Sequence, residues 1–306
     1  MEQGKLPIKI SAFLDYLPIF FFGDNFLICN IKFKSMKNLL LITAILLMGC
    51  SSNESSTYND NDQGDVDSPN DAPLVSSILS TDSENSSYIY SDVYTYDGNK
   101  LESVTQSDNQ STSISTYYFV YTNNKVIRID GYTSYNASEP TKTEEVNYSY
   151  DSQGRLASMV HTDSYATETG TFTYNANGSV TFEQSYKENN SSYSSENTIS
   201  LQFDSKDNLI RFSDGEDTRV LEYDNYKSPF KNVVGLNFHI LLSGELTTSE
   251  IFSLNNNCTS SSFTNSKGET FSDIFSYDYN EEGFPRQIIA KDYEGYESTI
   301  SIQYSN

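Results

Sequence analysis

The chain has 306 residues, of which 42 are acidic and 19 basic, for a formal net charge of −23 at neutral pH. Such a charge repels nucleic acid and anionic lipid headgroups, so phosphate polymers are not expected as partners. Three cysteines cannot build a disulfide framework, and Cys258 is expected to be a small buried hydrophobe. His161 and His239 have no Cys, His or carboxylate neighbours at zinc-ligand spacing, so we predict satisfied or solvent-exposed histidines and no metal or cofactor.

Residues 36–49 have the layout of a secretory signal. A charged segment at 36–38 precedes an apolar stretch at 39–47 that is too short to span a bilayer, and Leu-Met-Gly-Cys at 47–50 matches a signal peptidase II lipobox. This resembles a bacterial lipoprotein leader, and the resemblance implies that the chain is cleaved before Cys50 and acylated on it. We therefore expect a membrane anchor at Cys50. The alternative is a buried helix that ends in Gly-Cys.

Residues 1–35 do not fit that leader, because a lipoprotein signal opens within a few residues of its start codon. We expect Met36 to be the true start and residues 1–35 to be a mis-annotated extension. The alternative is a longer leader with an additional membrane segment, for which the apolar patch at 16–22 would serve. Any peptide from residues 1–35 in the purified precursor would contradict the first hypothesis.

Residues 50–73 are predicted to form a disordered acidic tether. The stretch consists mainly of Ser, Asn, Asp and Glu, which cannot bury enough surface to offset the entropy of ordering it. The acidic run at 59–65 does not match an EF-hand, because its glycine comes one place early and no distal Glu follows. By resemblance to Gram-negative lipoprotein sorting, Ser51 indicates the outer membrane. Acidic residues from Glu54 onward resemble the surface-export signals of Bacteroidetes lipoproteins.

Residues 74–306 repeat one unit: an alternating strand that ends in an aromatic, a short Asp/Asn/Gly turn, then Lys or Arg and an aliphatic residue. The aromatics recur every 20 to 29 residues except near Phe252, which is typical of a repeat architecture. The alternation predicts a half-buried strand, and the turn residues predict an Asx turn closed in the left-handed conformation. The predicted repeat positions are Tyr96, Asp97, Tyr121, Tyr150, Asp151, Gly154, Tyr174, Gly178, Phe203, Asp204, Tyr223, Asp224, Tyr279 and Gly283.

Successive hairpins predict an all-β antiparallel meander of roughly sixteen strands, which should curl into a barrel-like or spiral shell with a polar, soluble outer face. One edge should carry the tight turns, and the other should carry longer connections near 106–113, 133–144, 162–169 and 187–197. We expect inner-face tyrosines whose hydroxyls meet trapped water or each other. Residues 227–242 break the rhythm with dense aliphatics and predict an irregular or short helical insert that plugs or caps the shell.

Two resemblances follow from these residues. The unit at 150–156, Tyr-Asp-Ser-Gln-Gly-Arg-Leu, is similar to the Tyr-Asp repeat of the RHS/YD proteins, whose repeats coil into a β-shell. The lipobox, the degenerate hairpins and the segment at 223–232 resemble more closely an uncharacterised family of Bacteroidetes lipoproteins with a porin-like β fold. That resemblance implies fold and lineage but no activity. The toxin-bearing and self-cleaving parts of RHS proteins have no counterpart here, so cargo encapsulation is not implied.

No sequence motif for a catalytic site is present. The leading hypothesis is a non-enzymatic outer-membrane or cell-surface lipoprotein that acts as a binding or scaffold module for a glycan or protein ligand. The alternative is a hydrolase of periplasmic or surface polysaccharide, with Glu144 and Glu145, or Glu281 and Glu282, as its acids. Neighbouring acids on a strand point to opposite faces, which argues against either pair.

A membrane-embedded barrel is also compatible with alternating strands. Three features argue against it. A lipid anchor would be redundant, the chain ends in Ser-Asn instead of an aromatic, and the strands are expected to be mostly shorter than the roughly nine to eleven residues that span an outer membrane.

Overall fold

The computed structural model describes residues 72–82, 87–242 and 253–305. Each strand pairs antiparallel with its neighbours in sequence, and the first described strand pairs with the last, so the sheet closes into a barrel of sixteen strands. The predicted all-β meander is confirmed. The predictions for the leader, Cys50 and the tether lie outside the described residues.

The elements are β1 (Leu74–Asp82), β2 (Ile89–Asp97), β3 (Lys100–Asp108), β4 (Ser113–Thr122), β5 (Lys125–Tyr135), β6 (Thr141–Tyr150), β7 (Leu156–Asp163), β8 (Ala166–Tyr174), β9 (Val180–Glu188), β10 (Ser194–Phe203), β11 (Leu209–Ser213), β12 (Thr218–Tyr223), α1 (Phe238–Leu242), β13 (Cys258–Thr264), β14 (Thr270–Tyr279), β15 (Pro285–Lys291) and β16 (Glu297–Ser305).

The strands alternate between a buried inner face and a polar outer face. In β8 the residues at 166, 168, 170 and 172 are buried, and the threonines between them lie on the outer face. Inner-face aliphatic and aromatic side chains from strands all around the barrel form one buried cluster. The two-residue period of the sequence is therefore the inside–outside period of the wall.

The aromatic of each repeat unit lies at the end of an even-numbered strand. At five of these strand ends a tyrosine hydroxyl donates to a backbone carbonyl on the preceding strand. Tyr150 donates to the carbonyl of Val126 at 2.6 Å, and Tyr174 to that of Leu156 at 2.9 Å. The same bond joins Tyr223 to Leu209, Tyr277 to Cys258 and Tyr304 to Pro285. The expectation that these hydroxyls meet water or each other is wrong for these five, because the neighbouring strand offers a carbonyl within reach.

In three units the basic residue lies over the aromatic ring of the next unit. The Lys125 ammonium is 4.9 Å from the Tyr150 ring centroid, and the Arg155 guanidinium carbon is 3.9 Å from that of Tyr174. Such cation–π contacts favour a cation over an aromatic face. The units that end in Tyr150 and Tyr174 are thus joined to the unit before them twice, once through the hydroxyl and once through the ring.

The tight turns follow from the residue after the aromatic. The Oδ1 atom of Asp151 accepts the backbone N–H groups of Gln153 and Arg155, each at 2.9 Å. Gly154 closes the turn at φ +81°, a conformation that favours glycine. Asp204 and Asn280 make the same pair of bonds in the β10–β11 and β14–β15 turns.

The strands are longer than the sequence predicts. Eleven of the sixteen have nine residues or more, so the expectation of mostly shorter strands is wrong. The connections shrink accordingly to residues 109–112, 136–140, 164–165 and 189–193. Serine and threonine, which suggest loops in a sequence, here continue the ladder on the outer face. Strand length therefore gives no argument against a membrane barrel.

The chain between β12 and β13 leaves the wall and enters the barrel. Phe230, Phe238 and Ile240 are buried in the same cluster as the inner face. The ring of Phe230 lies 5.7 Å from that of Tyr94 on β2, and the ring of Phe238 lies 6.1 Å from that of Phe203 on β10. The predicted short helical insert is confirmed. We call residues 228–242 the plug, the barrel end that carries the tight turns the plugged end, and the opposite end the far end.

Candidate functional site

The inner face changes from apolar to polar along the barrel axis. Towards the plugged end it carries aliphatic and aromatic residues that pack with the plug. Towards the far end it carries buried side chains that hydrogen-bond or titrate, which we call the polar belt. Its members are Asp92 on β2, Gln106 on β3, Glu144 on β6, His161 on β7, Glu168 on β8 and Arg219 on β12.

The best-defined part of the polar belt centres on His161. Its Nε2 atom lies 3.2 Å from Oε2 of Glu144, and both side chains are buried. Glu168 is the cross-strand partner of His161 and accepts a hydrogen bond from the Gln184 amide. Burial raises the pKa of Glu168 to about 8, against the lowering effect of Gln184. Glu168 is therefore mostly protonated at neutral pH.

A glycine makes room for Glu144. Gly131 faces Glu144 across β5 and β6, and a Cβ atom at residue 131 would lie 2.5 Å from the Glu144 Cγ atom. Any side chain at this inner-face position would displace the carboxylate from His161.

The plug contributes His239 next to the polar belt. Its Nδ1 atom lies 3.3 Å from the hydroxyl of Tyr148, and its ring meets those of Tyr148 and Phe172 edge-on. Burial, with a smaller effect of nearby His161, lowers the pKa of His239 to about 3. Among the described residues its Nε2 atom has no hydrogen-bond partner. His239 is thus a neutral histidine at the junction of the plug and the polar belt.

Arg219 lies further around the wall, on β12. Its guanidinium lies 6.0 Å from the ring centroid of Phe212 and 5.8 Å from that of Phe263, and it donates to Ser261 at 3.0 Å.

Cys258, the cysteine predicted to be a buried hydrophobe, is buried at the start of β13 and donates its thiol to the carbonyl of Ser260.

The far end adds aromatic faces beyond the polar belt. Tyr186 is the cross-strand partner of Glu168, and its ring lies edge-on to that of Tyr193, with centroids 6.1 Å apart. Phe271 and Tyr293 form a second edge-on pair at 5.0 Å. All four side chains are partly exposed, and Tyr165 in the β7–β8 connection is 65% exposed. Solvent therefore reaches aromatic surface at this end.

The repeat positions singled out from the sequence lie elsewhere. All fourteen predicted repeat positions are at the plugged end, where strands meet tight turns, and none belongs to the polar belt. Glu144 and Glu145 do lie on opposite faces, since Glu145 pairs with Lys142 outside, and Glu281 and Glu282 are exposed in a turn.

The two histidines are both buried but differ in their hydrogen bonds. His161 is satisfied by Glu144, as expected. The Nε2 atom of His239 has no partner among the described residues, so the prediction of a satisfied or exposed side chain is wrong for His239. Sequence reasoning missed the pairing of His161 with Glu144 because the two residues are brought together by strand register, not by spacing along the chain. Glu168 and Arg219 could have been found from the sequence, because the two-residue period of their strands places these polar residues on the inner face.

In the three stretches that the structure describes, no three His, Cys, Asp or Glu side chains converge as a metal site would require. No helix in those stretches is long and apolar enough to cross a bilayer.

Comparison with known proteins gives little further guidance. No protein-family profile matches the chain, and no curated protein matches it. Among solved structures, it is similar to the crystal structure of a porin-like protein from Bacteroides uniformis. The two are 12% identical, the match covers 76% of this chain and 96% of the other, and the TM-score is 0.35. A likeness at that level does not extend to what either protein binds.

Proposed function

We propose that this protein is a lipid-anchored, non-enzymatic binding module of the outer membrane or cell surface that holds its ligand at the far end of the barrel. The supporting observation is the asymmetry of the interior. The plug and the apolar cluster occupy one end. The other end is lined by the buried polar belt and, beyond it, by partly exposed aromatic side chains. Ligand sites in barrels commonly lie at such a mouth.

The outer face supports a barrel surrounded by water. Wall positions that would touch lipid carry threonine in β8, and Ser, Glu, Thr and Gln in β10. A membrane barrel shows the reverse pattern, with an apolar outer band and a polar lumen. A separate anchor, which the lipobox at Cys50 would supply, is then the means of holding the barrel at a membrane.

A glycan is the ligand class that the far end suits best. Tyr186, Tyr193, Phe271 and Tyr293 offer aromatic faces, which pack on sugar rings, and nearby carboxylates accept hydrogen bonds from sugar hydroxyls. A polyanionic ligand would be repelled by the same carboxylates.

Binding can be tested with the mature chain from Cys50 onward on arrays of surface polysaccharides. We expect Tyr165→Ala combined with Tyr186→Ala to weaken glycan binding by at least about tenfold, since stacking aromatics dominate such sites. Tyr226→Ala is the matched control, because Tyr226 is 52% exposed but lies at the plugged end. Equal loss from both variants would remove the far end as the site.

The anchor is tested separately. Expression in a Gram-negative host with labelled palmitate should label the wild type, and Cys50→Ser should abolish both the label and membrane association. Unlabelled wild-type protein would contradict the lipoprotein hypothesis, whatever the array shows.

A hydrolase remains the second candidate, and one observation favours it. Glu144 and Glu168 flank His161 in the barrel interior, and paired acids in different environments are typical of polysaccharide hydrolysis. Their side chains are buried, however, with Glu168 only 2% exposed, so a polymer cannot reach them. Release of reducing sugar that disappears in Glu168→Gln but persists in Glu145→Gln would establish the enzyme.

A further inference from the structure

We infer that the barrel is mounted with its plugged end toward the membrane and its far end away from it. The inference rests on the lipid anchor of the proposed function and adds a direction to it. The bilayer is the partner, and the tight turns at the plugged end are the surface that faces it.

The first observation is where the chain joins the barrel. Leu74, the first residue of β1, pairs with Ser305 at the plugged end. The carbonyl of Pro73 accepts a hydrogen bond of 2.9 Å from the Asn232 amide, which belongs to the plug. The chain that leads to Cys50 therefore joins the wall beside the plug.

The height of the wall sets the distance between the two ends of the barrel. A strand of nine residues such as β1 rises about 30 Å, or about 20–25 Å along the axis of a tilted barrel. Leu74 follows Cys50 by 24 residues in the sequence. The end of the wall at Leu74 is therefore the end attached to the anchor, and the far end is removed from it by the height of the wall.

The second observation is the distribution of charge between the two ends. We count the described charged side chains in each connection and in the strand residue on either side of it. The far end carries eleven carboxylates and two lysines: Asp108, Glu139, Asp163, Glu188, Asp214, Glu216, Asp217, Glu269, Asp292, Glu294 and Glu297, with Lys267 and Lys291. The plugged end carries seven carboxylates and six basic residues: Asp97, Asp151, Asp204, Asp207, Asp224, Glu281 and Glu282, with Lys100, Lys125, Arg155, Lys206, Lys227 and Lys231.

An anionic bilayer surface distinguishes these two ends. Its potential falls off over about 8 Å at physiological ionic strength, so only the end that approaches it is affected. The nearly balanced plugged end can approach at little cost, and the far end is repelled. Attachment and electrostatics therefore favour the same orientation independently of each other.

The repeat unit contributes half of the basic residues at the plugged end. Lys100, Lys125 and Arg155 each follow a tight turn and are held there by contact with the aromatic ring of the next unit. The far-end connections contain no such unit. The cation–π contacts that join neighbouring units thus also place cations at one end of the barrel.

The two ends of β7 provide a matched experiment. Ser152 and Ser164 are both exposed, and they flank β7 at the plugged end and the far end respectively. In the acylated protein Cys50 is blocked and Cys258 is buried, so Ser152→Cys and Ser164→Cys each provide one reactive thiol. Each variant is labelled with a donor dye and reconstituted by its anchor into phosphatidylcholine vesicles that contain an acceptor-labelled lipid.

We expect energy transfer from residue 152 to exceed that from residue 164 by about twofold or more, given an axial separation of about 20 Å. Adding phosphatidylglycerol should widen the difference at low salt and not at high salt. Equal transfer, or greater transfer from residue 164, would overturn the orientation.

Two controls separate this inference from the lipoprotein proposal. The Cys50→Ser variant should show no transfer at either position and should not float with vesicles. If the wild type also fails to float, the anchor is wrong and the orientation falls with it. If the wild type floats but the two positions transfer equally, only the orientation is wrong.

Discussion

The two halves of the barrel use the same wall for different purposes. At the plugged end the inner face is apolar, neighbouring repeat units are joined by hydrogen bonds and cation–π contacts, and the insert fills the interior. At the far end the inner face holds titratable groups and the repeat unit is absent. The sequence repeat therefore marks the half that supports the fold, and the half that we propose for binding lacks it.

The largest effect is expected from the plug. Phe238→Ala removes a side chain that is 1% exposed and packs on Phe203, and should destabilise the barrel by about 3–5 kcal/mol. The measurement is urea unfolding followed by tyrosine fluorescence. Ile274→Ala on the outer wall, where Ile274 is 54% exposed, should change little. Comparable losses from the two would mean that the plug does not support the plugged end.

The next effect concerns Glu168 and the pH dependence of stability. Because its pKa is raised from 4.5 to about 8, the folded protein keeps a proton that the unfolded chain releases between those values. The contribution of Glu168 to stability should therefore fall as pH rises from 4.5 through 8, by about 3–4 kcal/mol. Glu168→Gln should remove this slope and retain the bond with Gln184. A variant with the wild-type slope would show that Glu168 is ionised in the fold.

His239 should give the opposite slope. Its pKa is lowered from 6.5 to about 3, so the unfolded chain binds a proton that the folded protein does not. The contribution of His239 to stability should fall as pH decreases below 6.5, by about 2 kcal/mol between pH 6.5 and 5. In the wild type this fall offsets the gain from Glu168, so the profile should be nearly flat between pH 5 and 6.5, whereas the stability of His239→Gln should rise as the pH falls through that range. Together the two groups should place the stability maximum of the wild type in the mildly acidic range.

The smallest effect tests the repeat unit. Tyr174→Phe removes the hydrogen bond to the Leu156 carbonyl and should cost about 1 kcal/mol. The chain contains its own comparison, because the unit that ends β10 has Phe203 in place of tyrosine. Phe203→Tyr should leave stability unchanged or raise it. A loss from both substitutions would mean that ring packing, not the hydroxyl, joins the units.

The plugged end could be predicted from the sequence and the far end could not. Tyr150, Asp151 and Gly154 encode a strand end and a tight turn through local chemistry, and the density of aliphatics at 227–242 signals a buried insert. Register is not local. Nothing near His161 indicates that Glu144 and Glu168 will be its partners, because each lies on a different strand.

The error in strand length has a physical origin. Serine and threonine suggest long connections and short strands, but in a barrel with a polar outer face they are ordinary strand residues. In β14, Tyr279 ends the strand before the turn as predicted, whereas Tyr277 makes the bond to the preceding strand. A pattern specifies that a strand exists more reliably than it specifies which residue fills each role.

Closure of the barrel constrains how the chain can be made. Leu74 pairs with Ser305, so the seam joins residues that lie 231 positions apart in the sequence. Until β16 arrives, β1 and β15 each present a row of unpaired N–H and C=O groups, which is a template for intermolecular pairing. A truncation that removes β16 would therefore open the barrel and leave two edge strands that promote aggregation.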